Sequence, residues 1–278
     1  MSVANFLNFN TAALPVIGNG PGEWPKLDSR LPFVRFNIPA DAPFEPGEIR
    51  ICNRKFAGRL DDSPPFVVWS RVLSSVQRIC LQARLAYSGA TLMKRLGSLP
   101  SSGLATVHAL ATAKVTLHLY RIPLRPSLLR PVGLSVRKPL AASFHNWLGE
   151  RRLALRWCRS ARSRLHWPDL QLTAGEETPA SDRCEDPYPA LFHWFAKGTD
   201  EARNANLAHL AELPAAAWCQ YATSTRLKEL EAYFYLRRQQ RESANWWLYN
   251  NELSPLIDAL LLKLMLAQQH LASVRAEG

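Results

Sequence analysis

The chain of 278 residues is short of acid, and the shortage is local. Lys and Arg total 34 against 23 Asp and Glu, a formal charge of +11, although charged residues are only 21% of the chain. Residues 1–70 hold 7 basic and 7 acidic side chains, residues 71–170 hold 17 and 2, and residues 171–278 hold 10 and 14. The net charges are 0, +15 and −4, so the whole excess lies in the middle hundred residues. Long apolar runs are missing as well. The best candidate, Leu256–Leu271, carries Asp258, Lys263 and two Gln, which suits a buried helix and not a membrane span. Met1–Gly20 has no basic residue before its apolar stretch, which does not fit a secretory signal. Cysteine is scarce: Cys52, Cys80, Cys158, Cys184 and Cys219 are odd in number and far apart, which excludes a disulfide framework and fits a reducing cytoplasm. No phosphate loop, nucleophile elbow, HExxH or dinucleotide fingerprint occurs, so no enzyme class, cofactor or metal is declared.

What is present is arginine. The chain has 26 Arg and 8 Lys, and Arg121–Arg164 holds eleven basic residues against Glu150 alone. A GC-rich coding sequence can explain Arg over Lys; it does not explain why carboxylates vanish from one segment and not its flanks. A planar guanidinium grips phosphate oxygens bidentately and stacks on bases. A polyanionic partner, RNA or DNA, is therefore expected for Arg71, Arg78, Lys114, Arg121, Arg125, Arg130, Arg137, Lys138, Arg151, Arg152, Arg156, Arg159, Arg162 and Arg164.

The patterning predicts an α+β protein, with small antiparallel sheet elements in the N-terminal and central parts and a C-terminal helical bundle. Leu31–Pro39 alternates, and Glu48–Phe56 can form a second strand after the turn ADAPFEPG, giving a hairpin or an edge of a small sheet. Ser63-Pro64-Pro65 resembles a helix start. From Phe66 to Tyr87 the positions Trp69, Val72, Leu73, Val76, Ile79, Cys80, Ala83 and Ala86 form a helical stripe, expected to face the core, with Arg71 and Arg78 opposite. Ala111–Leu124 is the clearest strand, and Pro131–Lys138 a second. Ser143–Trp167 fits two periods: Arg152, Arg156 and Arg159 share a helical face, while Arg152–Trp157 also alternates. Helix is the expectation. Trp147, Trp157 and Trp167 recur among the arginines; they could stack on unpaired bases, but core anchoring is the ordinary role. The expected division is 1–170 as a nucleic-acid-binding domain, 171–189 as an acidic, Pro-containing linker, and 190–278 as a helical domain. Helices are predicted at Ala190–Ala196, Asp200–Leu213, Ala215–Tyr221, Thr225–Trp247 and Pro255–Val274, with Ser254-Pro255 a cap followed by Pro at the first helical position.

Chemistry has few candidates. Asp61-Asp62 reads as a turn. His118, near Tyr120 and Arg121 on a polar strand face, could serve as acid or base in RNA cleavage, though it lacks a partner in sequence. Cys52 and Cys80 stand alone, and two thiolates do not close a tetrahedral zinc site.

Around those cysteines, ICNRKFAG, PPFVVWSRVL, RICLQAR and AKVTLHLYRIPL, within residues 48–125, resemble the large-subunit-like protein of type IV CRISPR effector complexes. The resemblance implies an early zinc ribbon, then strands, a basic region and a helical C-terminal part. Cys52 and Cys80 would stand where each cysteine pair begins, and both second cysteines are absent. It implies binding without catalysis: capping the 5′ end of a guide RNA and helping to recognise a short motif on target DNA. The leading expectation is thus a non-catalytic nucleic-acid-binding subunit of a bacterial ribonucleoprotein, contacting other protein subunits through its C-terminal helical part and no membrane. The alternatives are a structural subunit of a secretion or other multi-protein assembly, motivated by the Leu-rich last helix and Trp246-Trp247, and a metal-independent RNA endonuclease.

Overall fold

The computed structural model describes residues 9, 11–28, 31–39, 41–53, 65–111, 115–131, 133–135, 138, 140–160, 163–173, 185–197, 201–236 and 250–274. The chain divides into two compact units, Met1–Pro123 with Trp157–Gln171, and Leu124–Arg156 with Leu172–Gly278. The α+β class stands. The single boundary near residue 170 does not: residues 124–156 belong with the C-terminal helices, so the Arg-rich middle is shared between both units. Most of the expected linker, 174–184, lies outside the described residues.

The first unit is built on a six-stranded sheet. Its strands are β1 (Ala13–Ile17), β2 (Phe33–Phe36), β3 (Glu48–Asn53), β4 (Phe66–Ser70), β5 (Thr116–Tyr120) and β6 (Leu165–His166), in the order β4-β3-β2-β1-β5-β6. Only β3 and β4 pair antiparallel; every other pairing is parallel. The expected hairpin at 31–56 is therefore wrong. β2 and β3 run side by side in the same direction, because the loop between them doubles back over the sheet and is held there by Arg50 of β3. That side chain donates to the carbonyls of Pro39 (3.1 Å), Ala42 (2.8 Å) and Pro43, with the Phe44 ring 3.8 Å from its guanidinium.

Period-two alternation gives the sheet two unlike faces. Leu14, Val16, Val34, Phe36, Ile49, Ile51, Val68, Leu117 and Leu119 make one apolar, buried face. Glu48, Arg50, Arg35, His118, Tyr120 and His166 stand on the other. The apolar face carries α1 (Ser75–Leu96): Gly89 lies against the Phe66 ring, and Gln82 Oε1 accepts from the Val68 amide at 3.4 Å. α2 (Ser102–Leu110) follows and is buried along nearly all its length. α1 begins at a capping box, Ser74 with Gln77, and ends at Gly97 in the left-handed region (φ 70°).

Two corrections concern α1. Phe66–Ser70, expected inside a helix, is strand β4, so the helix starts at Ser75; Ser63 and Pro64 lie outside the described residues. The buried side of α1 is Leu81, Leu85, Ser88, Gly89, Leu92 and Leu96; of the stripe expected to face the core, Val72, Val76, Ile79 and Ala83 are exposed, Trp69, Cys80 and Ala86 half-buried, and Leu73 buried. The helix has two apolar sides, and the sheet takes the one with the larger leucines.

The second unit contains α3 (Trp147–Cys158, through Arg156), α4 (Pro187–Lys197), α5 (Glu201–Glu212), α6 (Ala215–Gln220), α7 (Ser224–Glu231) and α8 (Ser254–Val274). Helix was the right choice at 147–158. The strand expected at Pro131–Lys138 is absent among the described residues, which form turns there (Leu134 N–H to Pro131 O, 3.0 Å; Lys138 N–H to Ser135 O, 2.9 Å). α8 is the axis of the core: Ile257, Leu260, Leu261, Leu264 and Met265 pack among Tyr188, Leu191, Trp194, Leu207, Trp218 and Leu230. Tyr188 meets Trp218 edge-on at 5.3 Å and donates its hydroxyl to the Trp218 carbonyl at 3.0 Å. Thr223 caps α7, which ends at Glu231, short of the helix expected at Thr225–Trp247. Trp246 and Trp247 lie outside the described residues, and no described helix is long and apolar enough to cross a membrane.

Candidate nucleic-acid interface

The cations singled out by the sequence fall into three groups. Lys114, Arg137 and Arg162 lie outside the described residues. A second group is engaged within the protein. Arg130, 8% exposed, donates to Asn251 Oδ1 (2.5 Å) and to the carbonyls of Lys138 and Ser135 (both 2.9 Å). Arg151 is fully buried on α3 and donates to Gln269 Oε1 at 2.8 Å; burial and the nearby Arg125 charge bring its pKa down to about 10. Arg152 forms an ion pair with buried Glu231 at 2.5 Å. Glu231 also accepts from Asn146 Nδ2 (3.2 Å), and Asn146 Oδ1 caps the start of α3 by accepting from the Gly149 amide at 2.8 Å. Arg121 follows β5 with φ 56°; its Nε donates to Gly20 O at 2.8 Å and its amide to Asp169.

The third group faces solvent. Arg71, Arg125, Lys138, Arg156, Arg159 and Arg164 are exposed, and none makes an ion pair with a described residue. Arg78 is half-buried and bonds Ser75 of its own helix at 3.1 Å. Arg71, Arg78, Arg121, Arg159 and Arg164 belong to the sheet unit; Arg125, Arg130, Lys138, Arg151, Arg152 and Arg156 belong to the helical unit.

The three tryptophans act as anchors. Trp167 is buried and donates to Ile122 O at 2.8 Å. Trp147 donates to Ala142 O at 2.6 Å, and Trp157 packs on the His108 ring at 5.6 Å.

At the carboxyl ends of β1 and β5 the chain departs to opposite sides of β1, the place where open α/β sheets bind ligands. The loop after β1 reads GNGPG. Its glycines are explained by packing: a Cβ on Gly18 or Gly20 would collide with the Arg121 carbonyl. Their amides donate across to Tyr120 O (2.8 Å) and Arg121 O (3.0 Å) and are thereby turned from solvent. Beside this loop Trp24, 41% exposed, has the Arg35 guanidinium 4.8 Å and that of Arg121 5.8 Å from its ring. Neither Trp24 nor Arg35 stood out in sequence, since they meet only once β1, β2 and β5 are side by side.

His118 gains the partner it lacked. His166 of β6 is its register partner, with ring centroids 5.0 Å apart and Tyr120 at 6.5 Å. Burial first, then the His166 charge, lowers the His118 pKa. Cys52 is buried on β3 with its thiol directed to Ile38 O at 3.4 Å, and burial raises its pKa, the reverse of what a zinc thiolate needs. Cys80 is half-buried on α1, and the described residues contain no cluster of three potential metal ligands. These residues do not fit the zinc ribbon that the resemblance implies. No family model, curated protein or solved structure matches the chain.

Proposed function

We propose that the protein binds nucleic acid without transforming it, as a subunit of a bacterial ribonucleoprotein. One observation carries this: no Asp or Glu occurs from Ser63 to Gly149, and the cations left in solvent around that gap, Arg125, Arg156, Arg159 and Arg164, have no acidic partner among the described residues. Such guanidinium groups are available to phosphates. The resemblance to the type IV CRISPR large-subunit-like protein favours guide RNA and target DNA as the polyanions, with neighbouring subunits held through residues 190–278. Each of these arginines that neutralises a phosphate makes affinity for labelled RNA or DNA fall by a further factor of roughly 2.5 to 3.5 between 50 and 200 mM salt. Replacing Arg156, Arg159 and Arg164 together by Ala weakens binding while the fold persists. Absent or salt-insensitive binding to both polymers would refute the proposal.

The His118–His166 pair favours a second reading, acid–base cleavage of RNA, because two adjacent imidazoles can divide the acid and base roles. Cleavage of a labelled RNA that is lost in both His118→Ala and His166→Ala supports it; uncleaved RNA at every pH from 5 to 8 removes it.

A further inference from the structure

We propose that the outward side of α1 is a docking surface for an amphipathic helix of another protein whose apolar stripe is bordered by Asp and Glu. Leu81, Leu85, Leu92 and Leu96 are buried on the side that meets β4 and α2. Directly opposite lie Val76, Ile79, Ala83, Tyr87 and Ala90, preceded by Val72. Val72 is 49% exposed, Val76 57%, Ile79 69% and Tyr87 72%. A surface helix ordinarily turns charged residues to water on this side; one that is apolar on both sides is ordinarily covered. Within the helix the spacing from 76 through 79, 83, 86 and 90 alternates three and four, the seam along which two helices pack. Val76 to Lys94 spans about 27 Å at 1.5 Å per residue, enough for several turns of a partner.

Charge selects the occupant. α1 has no acidic residue; Lys94 and Arg95 are exposed in its last turn and exposed Arg71 precedes it, while Arg84 is half-buried and Arg78 lies on the side of Leu81 and Leu85. Two copies meeting through this side would place like charges against each other, so a second copy does not fit. A phosphate backbone offers nothing to Ile79, Val76 or Tyr87. The centre of the stripe is small, Ala83 and Ala90, with the bulk at Ile79 and Tyr87; this relief receives side chains of another helix, whereas a lipid surface is met by a continuous row of large residues. The proposal does not depend on nucleic-acid binding.

The test uses the full chain and two synthetic helical peptides of three heptads, with Leu at the seam and either Glu or Lys on both flanks. The Glu peptide is expected to bind and the Lys peptide not. Ile79→Glu with Tyr87→Glu weakens binding at least tenfold, with thermal unfolding unchanged because both side chains already face water. Lys94→Glu with Arg95→Glu shifts preference toward the Lys peptide. The proposal is overturned if neither peptide binds, if both bind alike at 150 mM salt, if the chain dimerises through Ile79 and Tyr87, or if those residues instead mediate binding to phosphatidylserine vesicles with no peptide bound.

Discussion

The helical unit and the sheet unit bury comparable material by different means. Around α8 the interior is leucine and aromatic: Trp194, Trp218 and Tyr188 are among the largest fully buried side chains. The sheet unit has such an interior on its α1 face, and buried Ile17, Phe33, Cys52 and Val67 stand on the opposite one. On the other face it encloses a charge pair, Arg50 with Glu48 at 2.9 Å, both essentially without solvent contact. Arg35 reaches the same carboxylate at 3.4 Å, and the Glu45 amide donates to it at 2.9 Å. Apolar burial is non-directional and tolerant of its neighbours. A buried ion pair depends on both members, because either one alone is a desolvated charge. The pair also explains the topology: the guanidinium that binds Glu48 gathers the loop carbonyls that allow β2 and β3 to be parallel.

The largest expected effects test that difference. Trp218→Ala empties the core around α8 and should cost about 3–5 kcal/mol. Arg50→Ala should cost about as much, 3–5 kcal/mol, by stranding Glu48. The two diverge on repair. Replacing Arg50 and Glu48 together with Met and Leu should recover the part of the loss due to the orphan Glu48 charge, leaving the part due to the unpaired carbonyls of Pro39, Ala42 and Pro43, whereas no second substitution at Glu48 helps Trp218→Ala. Denaturant unfolding gives the totals, and amide exchange locates each loss in its own unit. If the double variant is no more stable than Arg50→Ala, the pair is not the source of the cost.

Within the helical unit, neighbouring arginines on α3 are expected to behave unlike one another. Arg152→Ala leaves Glu231 buried with Asn146 as its partner and should cost about 1–3 kcal/mol. Arg156→Ala, exposed one turn further along, should change stability by no more than about 0.5 kcal/mol. Equal effects in urea melts would contradict the division of these arginines into an internal and an external set.

Much of this was readable in the sequence. The alternation of β5 placed Leu117 and Leu119 inward and His118 and Tyr120 outward, and α4, α5, α6 and α8 followed from caps and leucine spacing, whereas the helix expected at Thr225–Trp247 ends at Glu231. Three things were not readable, each for a physical reason. Parallel pairing of β2 and β3 depends on Arg50 reaching loop carbonyls, which no local pattern encodes. The orientation of α1 was ambiguous because Leu81-Leu85-Leu92 and Val76-Ala83-Ala90 are both valid helical stripes, and only the presence of the sheet chooses between them. The Arg-rich segment looked like one surface because charge along a chain says nothing about which guanidinium groups fold inward; Arg130 and Arg151 are committed to Asn251 and Gln269, far away in sequence.

The smallest expected effect again separates the units, through acid. His108 and His118 both belong to the sheet unit, and both have pKa values below the usual 6.5. For His108 the first cause is burial and the second the Arg95 charge; the ring also bonds Ser88 at 3.0 Å and packs on Trp157. A histidine whose folded pKa is lowered binds fewer protons in the native state than in the unfolded one. Its contribution is fully present above pH 6.5 and declines as pH falls from there through the lowered folded value. Between pH 7 and pH 5 the sheet unit should therefore lose stability, seen as faster amide exchange in α1, α2 and β5. Replacing His108 with Gln, which can keep a hydrogen bond to Ser88 but takes up no proton, should reduce that acid sensitivity at a small cost near neutral pH. A pH dependence that survives unchanged in His108→Gln/His118→Gln, or that appears first in α8, would place the sensitive groups elsewhere.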